Sequence, residues 1–377
     1  MKKVIFGTAL ASMALLSACS SDNELANAGT TANNAIGFHV VGNKAETRAK
    51  IVDNSNINST DFNVFAFTRN EDGTDGNFFM GEKENEYGQN GIKIDHTQND
   101  WNYANAADIH YWPTSTALNF YAVNPAKVAD NMFTNYHWSI KKDTKTITYS
   151  CCDEYGNRDG AVNYDVMYAI AEDQTKDNNA GKVNFQFKHI LSQVVFKAKT
   201  QLENMEVEIK EIKIVNPQMQ GTYTLPTTSS EKGTWALAKP AIGSNYGKFT
   251  VVKEQNIKVT STGANISENT PMLFVPQTLN AWKTNAATPK TKHDADADHE
   301  AYLSITCKIK QEGVYVFDGT LYVPFGPTWE QGKRYTYTLI FGGGYDEEGQ
   351  AILQPINFTT EVDTWKDADA TEIGVNK

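Results

Sequence analysis

The densest cluster of metal-capable side chains runs from Lys292 to Glu300, Lys-His-Asp-Ala-Asp-Ala-Asp-His-Glu. Carboxylates at Asp294, Asp296 and Asp298, with imidazoles at His293 and His299, could hold a cation as the opening of an EF-hand loop does. The glycine such a loop needs after its third acidic position is missing, and its twelfth position is Ile305 where a glutamate belongs. A solvated hairpin loop leading into a strand at Ala301 accounts for the same residues, so no metal ligand is assigned. His189 would need a nucleophile or carboxylate partner to be catalytic; a structural histidine at a strand bend is the plainer reading. Phe341-Gly342-Gly343-Gly344-Tyr345 lacks the following helix of a phosphate loop, and the acidic Asp346-Glu347-Glu348 would repel phosphate, which leaves a hairpin turn. Trp101, Trp112, Trp138, Trp235 and Trp329 suit a sugar platform or, more simply, a core. No nucleophile-elbow, zinc-protease or Walker pattern occurs. The sequence therefore offers no catalytic residue and no cofactor site, and the chain reads as a non-enzyme.

One residue does carry chemistry. Lys2 and Lys3 precede an apolar stretch from Val4 to Leu16, which ends in Leu16-Ser17-Ala18-Cys19. The stretch is too short to span a bilayer and fits a signal peptide, residues 1–18. Small residues before a cysteine fit the lipobox of lipoprotein signal peptidase, which makes Cys19 the acylated first residue and anchors the chain to the outer membrane. Ser20-Ser21-Asp22-Asn23-Glu24 resembles a lipoprotein surface-export signal. Residues 19–35 then read as a polar tether.

Removing the first 18 of 377 residues leaves 359, a length for two domains. Losing Lys2 and Lys3 takes the formal charge from −11 to −13. An acidic chain without a basic run argues against nucleic acid as a partner. Cys151 and Cys152 are adjacent and cannot easily bond each other, and Cys307 alternates with Ile305 and Ile309 as a core thiol. Stability must then rest on an apolar core, which 18 Phe, 17 Tyr and 7 Trp can supply.

Period-two alternation and short β-branched or aromatic runs recur along the chain, while convincing helical periodicity does not. Ile36 to Val41, Phe62 to Phe67, Leu118 to Val123, Val183 to Phe187, Val194 to Ala198, Ala301 to Ile309, Val314 to Phe325 and Tyr335 to Phe341 all read as strands. The apolar phase slips between Phe187 and Val194 and again between Ile209 and Ile212, and each slip calls for a bulge or tight turn. The stretches around 70–100, 124–145 and 280–300 read as surface loops. The predicted fold is all-β, with β-sandwich domains at 36–182 and 183–377.

Several segments occur in a shared order: Tyr111-Trp112-Pro113 with Leu118 to Pro125, Phe185 to Val194, Leu273 to Gln277, Tyr315 to Gly319 with Trp329 to Tyr337, and Val362 to Trp365. Together they resemble the fimbrillin family, the pilins of type V pili. The resemblance implies two tandem transthyretin-like β-sandwiches and a lipidated precursor carried to the cell surface. It also implies that a trypsin-like protease cuts after the first strand and that subunits join by strand exchange. Mapped onto this chain, Ile36, Phe38 and Val40 belong to the displaced strand. The cut falls between Arg48 and Ala49, and Ala368 to Lys377 is a candidate donor segment. Neighbouring pilin subunits, the processing protease and a host or bacterial surface receptor are the implied partners. The alternative reading is a surface glycan-binding lipoprotein of a polysaccharide-uptake system.

Overall fold

The computed structural model describes residues 34–40, 57–84, 89–126, 136–151, 163–238, 246–267, 271–285, 287–353 and 357–365. Cys19, the tether up to residue 33, Arg48, Ala49 and the segment from Ala368 to Lys377 lie outside them. The chain is all-β, as its alternation predicts.

The first half is organised by one sheet. Its strands lie in the order Lys182–Phe185, Gly37–Val40, Asp100–Tyr103, Ile92–Thr97, Asp61–Arg69, Leu118–Asn124, Met167–Gln174 and Lys188–His189, with Asp75–Met80 also on Asp61–Arg69. The two end strands are separated in sequence only by Gln186 and Phe187, so the sheet must curl round to bring its ends together. The strand Asp61–Arg69 is buried on both faces, which is why it reads as a nearly unbroken apolar run. Phe62, Val64 and Ala66 enter the core enclosed by the curled sheet. Phe65 and Phe67 enter a second core with Tyr121, Trp138 and Tyr168. Over this outer face lies a four-stranded sheet, Thr234–Leu237, Gln220–Thr224, Thr144–Ser150 and Tyr136–Lys141. It draws two strands from each half of the chain.

The second half packs two further sheets. One holds Ala264–Asn265, Ser192–Thr200, Lys333–Phe341 and Asn357–Thr364, with Met272–Phe274 also on Ser192–Thr200. The other runs Tyr246–Val252, Met205–Gln218, Tyr302–Gln311, Val314–Pro324, Gly343–Tyr345 and Ala351–Leu353. Val194, Phe196, Tyr337 and Leu339 from the first share a core with Val207, Ile212, Leu303 and Ile305 from the second.

The two phase slips have different causes. Between Phe187 and Val194 the chain changes sheet: Lys188–His189 closes the first sheet, and Ser192–Thr200 opens the next. Between Ile209 and Ile212 the register against Tyr302–Gln311 shifts at a bulge. The loop expectations need correction. Asp75–Met80, Ile92–Thr97 and Tyr136–Lys141 are strands within stretches that read as loops. Lys292–Ala297 is a short helix rather than a hairpin loop. Thr291 caps it, accepting from the Asp294 N–H, and Lys292 pairs with Asp296 one turn on. Gly343 and Gly344 lie in a strand, Gly343–Tyr345, after a bend at Gly342; the turn is the next segment, where Asp346 accepts from the Glu348 and Gln350 N–H groups.

Candidate functional site

The first strand, Gly37–Val40, is an interior strand of the curled sheet. It pairs in parallel with Lys182–Phe185 and antiparallel with Asp100–Tyr103, where Phe38 faces Trp101. Ile36 and Phe38 are each only 1% exposed, Val40 is half-buried, and His39 between them faces solvent. This alternation is why the short run has a single register. The Phe38 ring stacks on Phe185 at 6.1 Å and meets Tyr103 and Phe62 edge-on at 5.4 and 6.2 Å. Burying Ile36 and Phe38 contributes about 1.5–3 kcal/mol each. The approach to the strand is fixed by backbone bonds: the Ile36 N–H donates to His110 O, and the Trp112 N–H donates to Asn34 O, both at 2.9 Å. Trp112 closes this end of the groove by donating its indole N–H to Gly181 O at 3.0 Å.

Gly37 has a specific purpose here. A Cβ at that position would lie 3.0 Å from Lys182 Cγ. Without one, Lys182 on one flanking strand reaches Asp100 on the other, Nζ to Oδ2 at 2.9 Å. Partial burial pushes the Asp100 carboxyl up, but the Lys182 ammonium and the Trp101 N–H outweigh it and hold the carboxyl below its ordinary range. The pair is a clasp over the first strand.

The other residues singled out in the sequence have structural partners. His189 is buried, with Nδ1 2.9 Å from Asp165 Oδ1 and its ring stacked on Trp365 at 4.0 Å. Trp101, Trp112, Trp138 and Trp329 are core residues, and half-buried Trp235 donates its indole N–H to Ile190 O. Burial pushes the Cys307 thiol up to about 12. The acidic run is dispersed by its helix. Asp296 accepts from Tyr302 OH at 2.7 Å and pairs with Lys292, and Asp298 pairs with Lys290 at 2.7 Å. His299 stacks on Tyr246. Among the described residues no three His, Cys, Asp or Glu side chains converge as a metal site.

The last described strand, Asn357–Thr364, pairs with Lys333–Phe341 and closes one side of its sheet. Every side chain from Thr359 to Thr364 is exposed, and the strand ends at buried Trp365, whose N–H donates to Gly332 O. Sequence reasoning missed the partners of the first strand, because Lys182–Phe185 lies some 145 residues away from it in the chain.

A family model described as fimbrillin-like matches residues 47–365. The fimbrium subunit Fim1C of Phocaeicola vulgatus is 22% identical over 395 residues, covering 95% of each chain. A crystal structure of a fimbrial protein from Bacteroides vulgatus superposes with a TM-score of 0.59 at 16% identity, over 88% of this chain and 100% of that one, and so shares the fold.

Proposed function

This chain belongs to the fimbrillin-like family, and from that premise we propose that it is a structural or adhesive subunit of a cell-surface fimbria. In this reading it is exported as a lipoprotein acylated at Cys19, cut by a trypsin-like protease between Arg48 and Ala49, and assembled by β-strand exchange. It is a fimbrial subunit, not an enzyme.

The observation that carries the reading is the seat of the first strand. Gly37–Val40 lies between two neighbours, with Ile36 and Phe38 in a groove lined by Phe62, Trp101, Val183 and Phe185. Once the chain is cut, only noncovalent contacts hold that strand. Its departure leaves two lines of unpaired backbone groups and apolar pockets spaced for alternate side chains. An extended strand from a neighbouring subunit satisfies both. The family match begins at residue 47, beside Arg48, which accords with a mature chain that starts near there.

The test is limited trypsin digestion of the protein at high concentration, with N-terminal sequencing of the large fragment and electron microscopy. One cut after Arg48 followed by filaments supports the reading in full. A cut without filaments removes the polymerising part of it and leaves a tip or accessory subunit. Resistance at Arg48 in a chain that stays monomeric overturns both processing and exchange.

A further inference from the structure

Phe78 and Phe79 are adjacent and both border one open cleft, and Phe78 packs in addition on the core ring of Phe67. In the pairing of Asp75–Met80 with Asp61–Arg69, Met80 faces Ala66 and Phe78 faces Phe67, which leaves Phe79 as the extra residue of a bulge. Bulges re-aim the side chain they carry. Phe78 packs on Phe67 at 4.2 Å. Phe79, half-buried, forms one wall of an open cleft of about 830 Å³, within the range of ligand sites.

The polar groups of this cleft accept more than they donate. His110 stands edge-on to Phe79 at 5.9 Å. Its Nδ1 lies 2.7 Å from Asp108 O, and a carbonyl oxygen can only accept, so Nδ1 donates there; in the neutral tautomer that makes this bond, Nε2 is an acceptor. Glu82 and Asp108 add carboxylates. Asn105 uses its amide oxygen to accept from the Ala107 N–H, which leaves its NH₂ to donate. The ligand that complements this set has an apolar C–H face for the Phe79 ring and several hydroxyl donors. A pyranose ring has both. Among the described residues Lys83 is the only lysine or arginine that lines the cleft, beside three carboxylates, and Lys141 nearby is drawn to Glu84 at 3.0 Å. Such surroundings select a neutral sugar over a sialylated or sulfated one.

We propose that this cleft binds a neutral saccharide, with Phe79 against the sugar's C–H face and Glu82, Asp108 and His110 Nε2 accepting its hydroxyls. The proposal rests on the fimbrial reading only for where the sugar is met, on a surface glycan. Binding is a property of the uncut monomer, so its failure is distinguishable from a failure to polymerise.

The test screens the uncut chain against an array of neutral, sialylated and sulfated oligosaccharides and titrates the best neutral ligand by calorimetry. The expected result is preference for neutral glycans, with affinity falling tenfold or more in Phe79→Ala and in the near-isosteric Asp108→Asn, while trypsin-induced assembly is unchanged in both. Should Phe79→Ala fail to fold, Asp108→Asn and Glu82→Gln decide the matter. An array without neutral ligands, a preference for acidic glycans, or unchanged affinity in the folded variants each overturns the proposal.

Discussion

The first and last described strands are held by opposite means. Gly37–Val40 is short, has a neighbour on each side, and drives Phe38 into a ring-lined core. Asn357–Thr364 is twice as long and bonds along its whole length to Lys333–Phe341, yet its side chains from Thr359 onward face solvent, with Val362 54% exposed. The first strand is held mainly by side-chain burial and the last mainly by its backbone ladder. Removing the first leaves a slot with pockets, whereas removing the last leaves a bare edge. Only the slot can select a replacement by its side chains.

The largest expected effect tests that contrast directly. Phe38→Ala removes a ring in contact with Phe62, Tyr103 and Phe185 and should cost about 3–5 kcal/mol. Val362→Ala, on an exposed face, should stay within about 0.5 kcal/mol. Urea denaturation of the uncut chain measures both. Equal losses would break the comparison.

A smaller effect is expected at Trp365, the buried residue that follows the last described strand. Trp365 stacks on His189, which is itself tied to Asp165 of the first half. Trp365→Ala should cost about 3 kcal/mol. Hydrogen exchange should show the loss locally, with amides of Asn357–Thr364 deprotected and those of Gly37–Val40 unchanged. If both strands lose protection together, they belong to one cooperative unit and the contrast between them is only geometric.

These features were unequally legible in the sequence. The run from Ile36 to Val41 announced a strand through its apolar alternation, and the fold class followed from the same period elsewhere. The two phase slips marked real discontinuities, but sequence could not tell a bulge at Ile209 from a change of sheet after His189, since both flip the side chains alike. Asp75–Met80 and Ile92–Thr97 were hidden because polar Asn, Asp and Lys interrupt their apolar residues. Pairing on Asp61–Arg69, a tertiary event, makes them strands. The helix at Lys292 had a readable signal, Thr291 followed three residues later by Asp294, a variant of the capping box. The cleft at Phe79 had none, because it depends on a bulge and on the meeting of two distant segments.

The smallest effect concerns the clasp over the first strand. Asp100 and Lys182 meet at 2.9 Å, but their side chains are 50% and 45% exposed, so solvent screens the pair and its contribution falls within about 0–1 kcal/mol. Asp100 is held below its ordinary range in the folded protein. A carboxyl depressed by folding stabilises the fold above its unfolded pKa, and that contribution is lost as pH falls through the lower folded value. Acid should therefore loosen the two strands that flank Gly37–Val40. In protein cut after Arg48, release of the first-strand peptide should quicken between pH 7 and pH 3 by up to about fivefold, and by less in Asp100→Asn, which has no charge to lose. Raised salt at pH 7 should act in the same direction as acid, because the pair is exposed. If release from the Asn variant follows the same pH curve as the parent, the clasp contributes nothing and burial of Ile36 and Phe38 alone holds the strand.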